Sequence, residues 1–196
     1  MTEPSDHLLR VVVDLLMEGG YEGISVRRVA TRAGVSIGAV QHHFPTKDAM
    51  LSAAMGLASK QFQDRLDQRV PADASPEQAL RAVVDELLGA EPEQRPATVL
   101  WTLRLARATV DATTARTHAG EWQQVEDLLA GLLRASRPRR GEHWARQEAA
   151  LLLALADGLA PAVALEPDRM PTERARLILD EQLARVLKGT GAAPDA

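Results

Sequence analysis

The sequence predicts an all-α protein of about nine helices, a short N-terminal unit followed by a larger helical one. Three observations carry this expectation. Alanine and leucine number 33 and 27 of the 196 residues, and both favour helix. Isoleucine and the aromatic residues together number only 9, too few β-branched and aromatic side chains to furnish a sheet. Apolar residues recur at helical spacing through most of the chain. Cysteine is absent, which excludes disulfides, thiolate metal sites and cysteine nucleophiles, and agrees with a reducing compartment.

The first helix is expected from Ser5 or Asp6 to Gly19. Leu8, Leu9, Val12, Leu15 and Leu16 form its buried stripe, and Gly19-Gly20 stops it. Ser25 caps a short helix over Val26–Ala33 that ends at Gly34. Ser36 caps a second short helix, Ile37–His43, which Pro45 keeps from continuing. Thr46 caps a long helix from Lys47 to about Gln68. The Pro- and Asp-rich stretch from Val70 to Glu77 marks a boundary. Helices then follow at about 76–89, 95–110, 112–135, 142–165 and 172–188. Pro161 should kink the 142–165 helix or end it early. The expected organisation is an N-terminal unit over 1–50, a connecting helix over 51–69, a larger C-terminal unit over 70–188, and a disordered tail over 189–196.

The longest apolar run, Ala149 to Ala156, is far short of the roughly 20 residues that span a bilayer. The opening Met1-Thr2-Glu3-Pro4-Ser5-Asp6 lacks the basic start of a signal peptide. A cytoplasmic protein with no membrane partner is expected. Net charge is −4, which taken whole argues against nucleic acid. Its distribution argues otherwise. Ile24 to Lys47 contains Arg27, Arg28, Arg32 and Lys47 and no acid, so this window is +4 and the remainder −8.

Two short helices joined by Ala33-Gly34-Val35-Ser36 meet the demands of a helix-turn-helix. Ala30 is small where the helices cross. Gly34 tolerates a left-handed turn. Val29, Ala33, Val35 and Val40 are spaced to tie the unit to a core. Gly34-Val35-Ser36-Ile37-Gly38 also matches the G-x-S-x-G nucleophile elbow, but that motif needs a preceding strand, and here a helix precedes. Ser36 is read instead as an N-cap facing a phosphate.

The N-terminal part of the second helix meets base edges in this motif, which places Ser36, Ile37 and Gly38 first. Gln41 lies one turn on, suited to an adenine edge, and His42 is the next exposed side chain. Arg27, Arg28 and Lys47 flank the helix and suit phosphates, whereas Arg32 points to the far side. His42-His43 does not form a chelate, because adjacent helical residues point about 100° apart. His43 is expected to pack inward beside Phe44, a core anchor.

Ser25 to Met50, SVRRVATRAGVSIGAVQHHFPTKDAM, resembles the DNA-binding signature of TetR-type transcriptional regulators. The resemblance rests on Ser25, Val29-Ala30, Ala33-Gly34-Val35-Ser36, Gly38, His43-Phe44 and Lys47. Gln41 departs from it, standing where the family commonly has an aromatic. The resemblance implies a homodimeric regulator, usually a repressor, released from its operator by a small ligand held in the C-terminal unit. It carries the family's phosphate-contacting lysine to Lys47, its second-helix arginine to Arg27, and its recognition-helix contacts to Ser36, Ile37, Gly38, Gln41 and His42. Asp157-Gly158-Leu159-Ala160 resembles the choline-responsive subgroup.

In the C-terminal unit, Leu152, Leu155, Leu159 and Val163 of one helix and Leu177, Leu183 and Leu187 of the last are candidates for a four-helix dimer interface. Leu151 shares the first of these faces; ordinary intramolecular core is the alternative for both. Trp101, Arg104 and Arg107, with His118 and Trp122 on the next helix, are candidate ligand contacts, an aromatic wall beside cations that suits an anionic or planar ligand. The aromatics here are too few for a quaternary-ammonium cage. Arg137, Arg139 and Arg140 read as a solvated loop. Neither paired carboxylates, H-E-x-x-H nor a Gly-rich phosphate loop is present, so no catalysis, cofactor or metal is expected. The expected partners are double-stranded operator DNA, a small-molecule effector and a second copy of the chain. The competing expectation is a helical small-molecule binding protein or enzyme on the same scaffold, without operator-specific DNA binding.

Overall fold

A computed structural model describes residues 4–188; the tail expected at 189–196 lies outside the described residues. Its helices are α1 (Pro4–Gly23), α2 (Val26–Ala33), α3 (Ile37–His43), α4 (Lys47–Arg69), α5 (Pro76–Leu88), α6 (Arg95–Ala108), α7 (Ala112–Ser136), α8 (Glu142–Leu165) and α9 (Thr172–Lys188), with a 3-10 turn at Pro92–Gln94. No strand occurs among the described residues. Side-chain caps set the starts: Ser25, Ser36, Thr46, Ser75 and Asp111 each accept a hydrogen bond from a first-turn amide. Gly20, at φ 60°, breaks α1 where the glycine pair predicts a stop, and one further turn follows to Gly23.

Two cores organise the chain. The first gathers Leu8, Val12, Leu15 and Leu16 of α1, Val29, Val40, Phe44, and Met50, Leu51 and Met55 of α4. Leu100 of α6 joins it. The second gathers Leu80, Val84 and Leu88 of α5, Leu129 and Leu133 of α7, Leu152 of α8, and Leu179 and Leu183 of α9. Leu66 at the far end of α4 belongs to this second core. Thus α4 and α6 pack on both parts and fix them to each other.

Helix α8 spans the whole of the expected 142–165 stretch. It runs through Pro161 to Leu165 rather than ending early. An 18-residue stretch of it has mean hydropathy 1.7, apolar enough to cross a membrane by length and composition alone, although its longest uninterrupted apolar run is short. Its packing accounts for that composition: Ala145, Ala149, Leu152, Leu153, Ala156, Leu159, Ala160 and Ala162 are buried, against α5, α6, α7 and α9 among others.

The candidate dimer leucines need correction. Leu152 is 0% exposed, and Leu159, Leu183 and Leu187 are likewise buried inside the single chain. Leu155 and Val163 are half-buried against the same core. Of the seven, Leu177 alone is open, at 58%. Helical spacing identifies a face that must be covered, not what covers it. The exposed face of α8 is instead Leu151, Ala154, Gly158 and Leu165, which share one side by their spacing.

Candidate nucleic-acid interface and ligand cavity

The turn between α2 and α3 is built as its sequence predicts. Gly34 sits at φ 69°, ψ 31°, and the amides of Gly34 and Val35 both reach the Ala30 carbonyl. Ser36 Oγ accepts from Ala39 N at 3.1 Å and starts α3. Val29, Ala30 and Val40 are buried and hold the unit to α1 and α4. Two expectations fail. Val35 is 39% exposed rather than core, and His43 is exposed, its ring edge-on to His42. Val40 and Phe44 alone fill the inner side of α3.

The outer face gathers the candidate contacts. Arg27, Arg28, Ser36, Ile37, Gly38, Gln41 and His42 are all exposed, Ile37 at 50%. An apolar side chain held that far out is available to a thymine methyl. A Cβ at Gly38 would meet nothing nearer than Ser36 Oγ at 3.9 Å, so the fold does not require glycine there. Arg32 is directed away from this face and pairs with Glu18 of α1.

Lys47 is half-buried and belongs to a network that sequence alone does not reveal. Its Nζ lies 3.2 Å from a Glu22 oxygen and 4.8 Å from the centre of the Tyr21 ring. The Tyr21 hydroxyl donates to Asp48 Oδ1 at 2.7 Å. Arg107 of α6 donates to both Asp48 oxygens, at 3.2 and 3.4 Å. The Tyr21 hydrogen bond, ahead of the Arg107 guanidinium, holds the Asp48 carboxyl below the usual carboxylate range. Burial and the Asp48 bond push the Tyr21 hydroxyl up. Arg107, expected as a ligand contact, is therefore a tie between α6 and the start of α4, beside Lys47.

A cavity of about 450 Å³ lies among α4, α5, α6, α7 and α8, within the range of small-molecule sites. Of the five candidate ligand contacts, Trp101, His118 and Trp122 line it. Arg104 does not: it is 4% exposed, its guanidinium lies 4.0 Å from the Trp101 ring centre, and it donates to Glu121 at 2.6 Å and to His118 Nδ1 at 3.4 Å. It supports the wall from behind. Burial, then the Arg104 charge, lowers the His118 pKa. The Trp101 and Trp122 rings meet at a 36° tilt with centres 4.4 Å apart. Glu86, on the wall, is gripped by Arg65, Arg69 and the Gln94 amide. Asp157, which ends the longest apolar run in the sequence and is not among the candidates, also lines the cavity and accepts from Trp122 Nε1 at 2.5 Å.

Residues 8–54 match the family of bacterial regulatory proteins of the tetR type, and residues 76–188 match the C-terminal part of BetI-type transcriptional repressors. The regulator PksA of Bacillus subtilis is 28% identical over 174 residues, covering 88% of this chain and 84% of PksA. A transcriptional regulator from Rhodococcus sp. Rha1 superposes with a TM-score of 0.81 at 34% identity, covering 97% of this chain and 100% of that one. A regulator from Saccharomonospora viridis, solved in complex with choline, has a TM-score of 0.82 at 20% identity, covering 92% and 95%. The matched families are regulators, and the competing enzyme reading falls with them. Taken with the exposed recognition face and the cavity, these matches make the chain a member of the TetR family, a ligand-responsive DNA-binding transcriptional regulator with a BetI-type C-terminal domain.

Proposed function

We propose that the protein is a cytoplasmic repressor that binds a palindromic operator as a homodimer and leaves it when a small molecule fills the cavity. One observation carries this reading. Helix α6 supplies Trp101 to the cavity wall and, two turns on, Arg107 to Asp48, the neighbour of Lys47. A ligand that displaces Trp101 therefore acts on the same rigid rod that holds the start of α4. A coupling of about 1–3 kcal/mol between the two sites is sufficient for regulation.

On the DNA side, Arg27, Arg28 and Lys47 take phosphates, while Ser36, Ile37, Gly38, Gln41 and His42 face base edges. The dimer is assigned to the exposed apolar residues of α8 and α9, Leu151, Leu165 and Leu177, whose solvent exposure in the single chain supports a covering partner. Two recognition helices about one DNA turn apart then read two half-sites. The test is selection of bound fragments from genomic DNA by the purified protein, followed by titration. A palindrome bound roughly a thousandfold or more tighter than random duplex is expected. Binding to that sequence no tighter than to random duplex at physiological salt rejects the reading.

A further inference from the structure

Asp157 differs from the other two carboxylates on the cavity wall. Glu86 is held by two arginines and an amide, and Glu121 by Arg104. Asp157 has the Trp122 hydrogen bond and no ion pair among the described residues. It is open to solvent, yet the protein around it strips enough hydration to push its carboxyl above the ordinary range. Accessible and poorly hydrated is the condition of an acid on the wall of a concave site.

Pro161, one turn on in α8, lines the same cavity. Having no N–H, it cannot make the helical bond to the Asp157 carbonyl. An ionised carboxylate only accepts hydrogen bonds. The indole that reaches Asp157 is also the one packed against Trp101, so apolar ring surface borders the carboxylate. Arg104 does not offset it, being buried behind Trp101 and matched by Glu121.

We propose that the cavity takes an amphipathic amine: a protonated primary or secondary amine on a flat apolar body, its N–H groups on Asp157 and its body against Trp101 and Trp122. The proposal rests on the cavity being the effector site. A quaternary ammonium brings charge without N–H and leaves the acceptors unmet. A carboxylate meets like charge. The cavity volume leaves room for a ring system beyond a compact ammonium.

The test is calorimetric titration of the full chain with three probes on one ring system: 2-naphthylmethylamine, its N,N,N-trimethyl derivative, and 2-naphthylacetate. The amine is expected to bind about tenfold or more tighter than either of the others. Asp157→Asn is expected to remove that preference by weakening the amine about tenfold, with the trimethyl probe weakened less and the acetate bound no more weakly, which also controls for folding. Trp101→Ala is expected to weaken all three. Equal or tighter binding of the trimethyl or acetate probe, or a preference that survives Asp157→Asn, overturns the proposal while the effector-site reading stands. Absence of binding by every probe at millimolar concentration overturns both.

Discussion

Replacing Gly38 by alanine separates what the fold needs from what DNA needs. Gly38 is the second residue of α3, and a Cβ there meets only Ser36 Oγ at 3.9 Å, an ordinary contact. Within the protein the change is therefore free of strain. Glycine in a helix costs about 0.5–1 kcal/mol relative to alanine, and the first turn lies at the low end. In a chain of this size about 1 kcal/mol shifts Tm by roughly 2–4 °C, so Gly38→Ala should raise Tm by about 1–4 °C. On the operator the sign reverses. The new methyl stands beside Ser36 on the exposed face, where the proposed docking brings backbone and base edges together. Overfilling such a contact costs about 1–3 kcal/mol, a loss of about 5- to 150-fold in affinity. Thermal unfolding and titration against the selected operator measure the two effects. A variant that is less stable, or that binds the operator like the parent, shows that Gly38 serves the fold rather than the groove.

Lys47→Ala is expected to weaken binding by a similar factor on every sequence, whereas Gln41→Ala changes which base is preferred; titration across operator variants distinguishes the two. Arg107→Ala and Asp48→Asn, combined in a double-mutant cycle of urea unfolding, are expected to show a coupling of about 0.2–1 kcal/mol, the range for a partly exposed pair; additive effects remove the tie from α6 to α4. Leu177→Glu is expected to give monomers by sedimentation with the fold retained, whereas Leu152→Ala should cost about 2–5 kcal/mol of stability as a core truncation; dissociation by Leu152→Ala with Leu177→Glu still dimeric moves the interface elsewhere. Asp157 titrates above its unfolded value of 3.8, so the folded state binds the extra proton and wild-type stability falls as pH rises from that value through the raised pKa. Asp157→Asn should therefore raise Tm at neutral pH, with the gain vanishing below about pH 4; a gain that grows on acidification contradicts the shift.

The helix-turn-helix was legible because its instructions are local. Ser25, Gly34 and Ser36 act on amides and dihedrals within a few residues of themselves, and the observed caps and turn follow the pattern. The cavity was legible only in part. Trp101, His118 and Trp122 are unusual enough in these apolar helices to point to it, and all three line it. Arg104 and Arg107 share their helix and chemistry, but their roles depend on Glu121 and Asp48, 17 and 59 residues away, and no local spacing encodes those partners. The dimer leucines failed for another reason. Helix α8 is apolar nearly all round, so its periodicity does not say which side meets the chain's own core. His43 was misplaced because Val40 and Phe44 suffice to fill the inner side of so short a helix.

The ammonium of Lys47 arrives at a duplex already holding the carboxylate of Glu22, which is itself 88% exposed. Docking is then a trade of one anion for another rather than capture by a bare cation. A bare lysine on a phosphate contributes about 0.9 to the logarithmic dependence of affinity on salt concentration; this one contributes less, because part of its charge is spoken for beforehand. If Lys47 takes a phosphate as proposed, the prior pairing lowers affinity for operator and arbitrary DNA alike and flattens the dependence of both on salt.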